Sequence, residues 1–464
     1  MEVEWPNVIL NEVTELRNGA GIKQQHFSES GLPLARVSDF TVDSIDLKDC
    51  NYVEPEHAKK WSSHYLKFND VVVATVGSWP PNWSSVVGKV VRVPKHAVGA
   101  IQNQNTCCIL PLTNVMDQSY LYYRLKLKDF AWHAANSAGG SANQARLPVK
   151  KLGDFRFSLP SLSEQKSIAH ILGTLDDKIE FNRQMNATLE SMAQALFKSW
   201  FVDFDPVIDN ALAAGNPIPE PLHARSEVRK TLGDQRKPLP EAIQKQLPNR
   251  FVFNEEMGWV PEGWDPVKLG DYVTVKRGGS PRPIHDYLVD EGLPWVKISD
   301  ATASPSRYLM GTKQFIKPEG LKKTVMLKKG ALILSNSATP GLPMFLNLDA
   351  CIHDGWLYFP EKTLYGDLYL YQLFLVVRSE LLMQGNGSVF TNLKTDILKN
   401  HSVVKPSEVL MSHAEGRFRE LHKRSLLIQE ETGSLIKIRD SLLPKLLSGQ
   451  LRITEAEKEL ADAI

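Results

Sequence analysis

Residue types able to do chemistry are present in this chain, but not at the spacings that chemistry requires. Val87-Gly88-Lys89-Val90 is the nearest approach to a phosphate-binding loop. It lacks the leading glycine and the hydroxyl residue after the lysine that let GxxxxGK[ST] cradle phosphates and a metal. No GxGxxG follows a strand-like run, which argues against a dinucleotide or adenosyl-cofactor site. HExxH, GxSxG and EF-hand patterns are absent. Ser78-Trp79-Pro80-Pro81-Asn82 holds the Pro-Pro of an amino-methyltransferase motif, but Trp79 intervenes and Asn82 stands where an aromatic ring would stack on a base. Glu164-Gln165-Lys166 has the spacing of a nuclease half-motif without a partner Asp on a preceding strand. Cys50 and Cys351 are isolated, and the adjacent Cys107-Cys108 reads as two small buried hydrophobes in a strand, not as CxxC zinc spacing. No catalytic residue and no metal site is expected.

What remains to explain the chain is its organisation. At 464 residues it exceeds one ordinary core. No run approaches the roughly 18–20 apolar residues of a membrane span, and the acidic start with Trp5-Pro6 is unlike a signal peptide. A cytoplasmic protein without membrane contact is the expectation. The net charge of +1 gives no general attraction to polyanions, so any nucleic-acid contact must be local or shared with partners.

The sequence repeats itself. Gly31-Leu32-Pro33-Leu34-Ala35-Arg36-Val37-Ser38-Asp39 matches Gly292-Leu293-Pro294-Trp295-Val296-Lys297-Ile298-Ser299-Asp300 at an offset of 261. At that same offset, Leu66-Lys67-Phe68-Asn69-Asp70-Val71-Val72-Val73 faces Leu327-Lys328-Lys329-Gly330-Ala331-Leu332-Ile333-Leu334, each a polar turn leading into a buried strand. Tyr120-Leu121-Tyr122 with Tyr369-Leu370-Tyr371, Gly140-Ser141 with Gly387-Ser388, and Pro160-Ser161 with Pro406-Ser407 continue the series in order.

Each copy hands over to a long helix. Ile168, Leu172, Leu175, Ile179, Leu189, Leu196 and Trp200 fall on alternating four- and three-residue steps, with Asn182, Asn186 and Ala193 completing the seam. Ser163 reads as its cap. The second helix runs from about His413, with Leu421, Ile428, Leu435, Leu442 and Leu446 along one face and Thr432 matching Asn186. Rods of roughly 50 Å overrun a single domain, and each is the natural partner of the other. Between them, Asn216-Pro217-Ile218-Pro219-Glu220-Pro221 and Lys237-Pro238-Leu239-Pro240 mark a Pro-rich linker that crosses the surface, with short helices around 222–232 and 240–246.

This frame resembles the specificity subunit of type I restriction-modification systems. The likeness is carried by Leu159-Pro160-Ser161-Leu162-Ser163-Glu164-Gln165-Lys166-Ser167-Ile168-Ala169 at the first domain-helix junction and Ala195-Leu196-Phe197-Lys198-Ser199-Trp200-Phe201-Val202-Asp203-Phe204-Asp205-Pro206 at the end of the first helix. Gly258-Trp259-Val260-Pro261-Glu262-Gly263-Trp264 and Arg439-Asp440-Ser441-Leu442-Leu443-Pro444-Lys445-Leu446-Leu447-Ser448-Gly449 extend it. Lys405-Pro406-Ser407-Glu408-Val409 departs from it, lacking the Ser-Glu-Gln run of the first junction. The resemblance implies an α/β (α+β) chain with two similar DNA-recognition domains related by pseudo-two-fold symmetry and separated by two long antiparallel coiled-coil helices. The corresponding segments are 1–160, first recognition domain; 161–205, first helix; 206–257, linker; 258–406, second recognition domain; and 407–464, second helix and tail. It implies a non-catalytic subunit that binds double-stranded DNA with a two-part target and recruits two adenine-N6 methyltransferase subunits and ATP-dependent restriction subunits. S-adenosylmethionine, ATP and Mg belong to those partners. A coiled-coil scaffold for other proteins is the alternative reading.

Within that frame, base edges are read by Arg, Lys, Asn and Gln in the major groove, and polar, aromatic-interleaved loops at matched places are the candidates. In the first domain these are Ser78, Trp79, Asn82, Trp83, Ser84, Ser85 and Lys89, with Asn143, Gln144 and Arg146 from the Gly139–Arg146 loop. In the second they are Ser335, Asn336, Ser337 and Thr339, with Thr391 and Asn392 from the 385–392 loop, and Arg277 and Arg282 in a Gly/Pro-rich turn, suited to phosphates or a guanine edge. Asn182 and Asn186 suit either register control in the helical seam or a face turned to a methyltransferase subunit or water. Phe197, Trp200, Phe201 and Phe204 form an apolar helix end expected to dock a partner subunit or to pack under the linker.

Overall fold

The computed structural model describes residues 5–236, 239–304, 306–383 and 392–463. The chain forms two compact units, Met1–Phe181 with Thr432–Ile464, and Asn182–Glu431. Two 40-residue helices, Leu162–Phe201 and Glu408–Leu447, each contribute residues to both.

In the first unit an antiparallel sheet runs in the order Thr14–Asn18, Thr106–Pro111, Val71–Ala74, Val90–Arg92. A second sheet is ordered Phe27–Ser28, Asn51–Val53, Leu32–Ala35, Ile101–Gln102 and closes on a parallel pair in which Leu34 faces Ile101. The second unit repeats this plan. Lys276–Arg277, Trp356–Tyr358, Leu332–Ser335 and Pro343–Leu346 take the same order, with Tyr308–Leu309 added at the edge. Leu293–Val296 pairs in parallel with Ala350–Ile352, Trp295 facing Cys351.

The duplication therefore extends to strand register. Val71–Ala74 and Leu332–Ser335 are buried at every position, because sheet neighbours cover their edges and apolar side chains cover both faces. The turn before each strand needs a left-handed residue, supplied by Asn69 (φ +68°) in one copy and Gly330 (φ +92°) in the other. Cys107 and Cys108 are fully buried in their strand, and burial pushes the Cys107 thiol up to about 12.

The first long helix begins at Leu162, and its cap is Ser161, two residues before Ser163. Ser161 and Glu164 form the capping box: Ser161 N–H donates to the Glu164 carboxylate (3.0 Å) and Glu164 N–H to the Ser161 hydroxyl (3.3 Å). Gln165, fully buried, explains the junction sequence. Its Oε1 accepts from Asp117 N–H (2.9 Å) while Nε2 donates to the Val115 and Pro160 carbonyls, which staples the helix start to the domain. The second helix starts at Glu408, earlier than His413, with Ser407 receiving the Leu410 N–H (3.3 Å).

The seam positions are buried or half-buried along the first helix. In the first unit Ile168, Leu172, Leu175 and Ile179 pack with Leu435, Leu442 and Leu446, and the Arg439 guanidinium meets Asp176 at 2.8 Å. In the second, Asn182 Nδ2 donates to the Glu431 carboxylate (2.9 Å) and Trp200 stacks on His413 (5.6 Å), so the helix segments there run antiparallel.

The Pro-rich segment carries the short helices expected around 222–232 and 240–246 and is packed more closely than a surface crossing requires. It folds into helices Asp205–Ala214, His223–Leu232 and Glu241–Gln244 and a hairpin of Phe251–Asn254 with Gly258–Pro261. Asp205 accepts from Arg225 Nε (2.7 Å) and Ser199, Asp209 pairs with Arg229, and Val207, Leu239 and Leu247 enter the core. This packing covers the aromatic helix end. Phe197, Trp200, Phe201 and Phe204 are 1%, 9%, 4% and 8% exposed, surrounded by Trp264, Tyr369 and Phe418. The expectation of a partner-docking surface there is corrected: the rings are core of the second unit. Among the described residues no helix is long and apolar enough to cross a membrane.

Two stability outcomes follow from these contacts. Gln165→Ala strands several buried polar groups and should cost about 2–3 kcal/mol, read as a lower denaturation midpoint; an unchanged midpoint would mean the staple carries no stability. Phe197→Ala should cost about 3–5 kcal/mol in the same measurement, and near-wild-type stability would contradict the burial described.

Candidate nucleic-acid interface

In the first unit the strand Val71–Ala74 delivers the chain through buried Thr75 into Val76–Gly77, which pairs with the hairpin Gly139–Ser141/Gln144–Arg146. Arg146 faces Val76 and Ala145 faces Gly77, so the two separately predicted loops form one sheet-backed surface. The Trp79 indole N–H donates to the Ser141 carbonyl (2.8 Å) and locks them together.

The long loop is braced from within. The Ser78 hydroxyl donates to the Asn82 carbonyl (2.8 Å) and lies 3.1 Å from the Ser85 hydroxyl, while the Ser84 hydroxyl donates to Asn82 Oδ1 (2.7 Å). Lys89 donates to the Ser84 carbonyl (2.6 Å) and is held below its ordinary pKa by burial, which Asp43 partly offsets. Ser78, Trp79 and Lys89 are thus loop braces. Asn82, Trp83, Ser84, Ser85, Asn143, Gln144 and Arg146 are exposed.

Sequence reading missed Trp132. It is 48% exposed and meets Trp83 (43%) edge-on at 5.1 Å, beside Lys126 and Lys128, in a cleft of about 670 Å³. The interleaved lysines and tryptophan of Lys126-Leu127-Lys128-Asp129-Phe130-Ala131-Trp132 were the available signal.

The second unit uses the same frame. Leu147 N–H donates to the Thr75 carbonyl (2.8 Å), and Leu393 N–H donates to the Asn336 carbonyl (2.8 Å). Gly88 N–H to Ala74 and Gly341 N–H to Ser335, both 2.8 Å, close the two loops alike. The second loop is much shorter, and this changes the role of its polar residues. Ser335 is fully buried: its hydroxyl donates to the Thr339 carbonyl and accepts Leu342 N–H (2.9 Å). Asn336 is 4% exposed and pairs through its backbone. Neither presents a side chain to the surface, which corrects their expected place among DNA contacts: turn closure consumes the Ser335 hydroxyl, and Asn336 Nδ2 turns inward to the Asp354 carbonyl (3.4 Å). Ser337 and Thr339 are half-buried, and Arg277, Arg282 and Asn392 are exposed. Thr391 and the 385–391 stretch lie outside the described residues.

Arg277 and Arg282 flank a turn tied to the neighbouring His353-Asp354-Gly355 turn. Arg277 Nε donates to the Asp354 carbonyl, and the Ser280 hydroxyl donates to its carboxylate (2.8 Å). Burial pushes the Asp354 carboxyl up, but Ser280, His353 and the two arginines more than offset it and hold the group below the usual carboxylate range. No group of three or more His, Cys, Asp or Glu among the described residues is placed to hold a metal.

The sequence profile of the type I restriction modification DNA specificity domain matches residues 2–191 and 261–407. The HindI specificity subunit of Haemophilus influenzae is 28% identical over 384 residues, covering 74% of this chain and 79% of its own length. The MjaIX specificity subunit of Methanocaldococcus jannaschii is 25% identical over 366 residues, covering 76% and 73%. Among solved structures, the S subunit of a type I restriction-modification system from M. genitalium superposes with a TM-score of 0.52 at 16% identity, covering 95% of this chain and 96% of that one, a likeness of fold. With the profile matching most of its length in two blocks, one in each copy of the repeat, the chain belongs to the family of type I restriction-modification specificity subunits.

Proposed function

We propose that this non-catalytic subunit reads a two-part, asymmetric DNA target, one half through each globular domain, with the paired helices setting the unread gap. On this reading it recruits two adenine-N6 methyltransferase subunits and ATP-dependent restriction subunits, which carry S-adenosylmethionine, ATP and Mg. The observation that supports it most is the repeated frame with unlike side chains. The same backbone pairs, Thr75–Leu147 and Asn336–Leu393, carry Asn143, Gln144 and Arg146 in one copy and Asn392 in the other, where Arg277 and Arg282 stand on the neighbouring turn held by Asp354. One scaffold offering two different donor sets suits a target whose halves differ. The net charge of +1 fits a subunit whose partners supply much of the phosphate contact. Trp83 and Trp132 would add apolar contact at the edge of the first half-site.

Co-expression with the cognate methyltransferase subunit in an unmodified host should produce N6-methyladenine in a bipartite motif with a fixed gap, lost when this chain is omitted. Unchanged methylation by an assembled complex would reject the reading in favour of a protein scaffold. Asn143→Ala and Arg146→Ala should each relax one half of that motif by about 1–3 kcal/mol of discrimination per base pair. Equal losses in both halves would show that these residues do not read bases.

A further inference from the structure

The two copies of the repeat close one turn in two chemically different ways. In each, a glycine lies against the turn backbone: Gly19 N–H donates to the Thr106 carbonyl (3.1 Å) and Gly278 N–H to the Trp356 carbonyl (2.8 Å). A Cβ would strike the Asn103 carbonyl at the first glycine and the His353 carbonyl at the second. The following turn is then closed by a side-chain acceptor. Asn105 N–H donates to Asn103 Oδ1 (3.1 Å) in the first unit, and Gly355 N–H donates to His353 Nδ1 (2.8 Å) in the second. A neutral amide is therefore sufficient for the turn.

The second unit adds charge that the turn does not need. Because His353 Nδ1 accepts, the ring proton sits on Nε2 and donates to the Asp354 carboxylate (2.9 Å). Ser280 donates to the same carboxylate (2.8 Å), and Arg282 Nη2 stands 3.6 Å from it. Gln104 and Gly21 occupy the corresponding places in the first unit, where no such group can form. Two protein donors fix Asp354, while the Arg282 side chain is 74% exposed. An exposed pair of this kind gives little stability. What it can give is a bias in direction: at 3.6 Å, longer than a hydrogen bond, one guanidinium nitrogen faces the carboxylate, and the remaining N–H donors keep the planar spacing that matches O6 and N7 of guanine.

Building on the proposed reading of DNA, we infer that Arg282 recognises a guanine in the second half-site and that Asp354, held by Ser280 and His353, is the residue that positions it. A phosphate contact would need only the arginine's charge; a base contact needs its orientation.

The test is selection of randomised duplexes by the purified full complex of this chain with its methyltransferase subunits, comparing wild type with Arg282→Ala, Arg282→Lys and Asp354→Asn. Wild type should enrich a two-part sequence. Both Arg282 variants should lose discrimination at one G·C pair of the second half, on the order of tenfold or more. Asp354→Asn should relax that same pair less strongly, with the first half unchanged in every variant. If Arg282→Lys keeps the full motif, or Arg282→Ala weakens all sequences evenly, the contact is to phosphate and the inference fails. It also fails if Asp354→Asn leaves that pair untouched or relaxes a different one. A wild-type complex that enriches no two-part sequence rejects the underlying reading, and this inference with it, and is thereby told apart from a failure confined to Arg282 and Asp354.

Discussion

In each unit a carboxylate of the first long helix holds a domain arginine that is stacked on a tyrosine. Arg92 lies over the Tyr122 ring (4.9 Å) and 3.8 Å from Asp176; Arg307 lies over the Tyr371 ring (5.4 Å) and 2.7 Å from Glu190. Tyr122 and Tyr371 are matched positions of the repeat. These charges are largely withdrawn from water, with Arg307 only 8% exposed, so neither partner can be left alone without a large desolvation cost. The geometry is directional where apolar packing is not. Apolar seams allow a helix to slide or roll; an arginine pinned between a ring and a helical carboxylate does not. Asp176 reinforces the first of these joints by also accepting the Tyr123 hydroxyl and meeting Arg439 of the second helix, each at 2.8 Å. Within each unit, the candidate loops are thereby held at a fixed setting against the helical segments.

A division of labour follows. Backbone pairing and buried hydroxyls build the frame of each reading surface, and exposed side chains decorate it. Ser335 and Thr75 serve the frame, as do Gln165 and the Ser161–Glu164 box at the helix start. The backbone of Gln144 and Arg146 belongs to that support, and the side chains of Asn143, Gln144, Arg146 and Arg282 stand exposed on it. The proposed base contacts are thus preorganised, and little ordering remains to be done when DNA arrives.

Much of this was legible in the sequence because it is local or periodic. The strand Val71–Ala74, the buried cysteine pair and the three-four spacing of the first helix each announce themselves within a few residues. The duplication was legible because turn chemistry repeats: Asn69 and Gly330 are alternative answers to one left-handed position. Long-range closure was not legible. The Pro-rich segment reads as a linker because Asp205 and Asp209 meet Arg225 and Arg229 only after a helix has reversed direction. Phe197 to Phe204 read as an exposed apolar end because Trp264 and Tyr369, which cover them, lie far along the chain. Ser335 reads as a surface donor because its two hydrogen-bond partners belong to a turn whose path only the folded chain defines.

The long loop of the first unit and the short one of the second are clamped by the same backbone bonds, Gly88 to Ala74 and Gly341 to Ser335. Such bonds are indifferent to side-chain identity. Residues between the clamps can be exchanged, lengthened or shortened while the support keeps its stability, and loop length adds only slowly to the entropy of closure. If the chain reads a two-part target as proposed, selection can explore new readings of one half without disturbing the other half or the fold. On that reading the frame makes recognition heritable in pieces, with what is read separable from how the support is built.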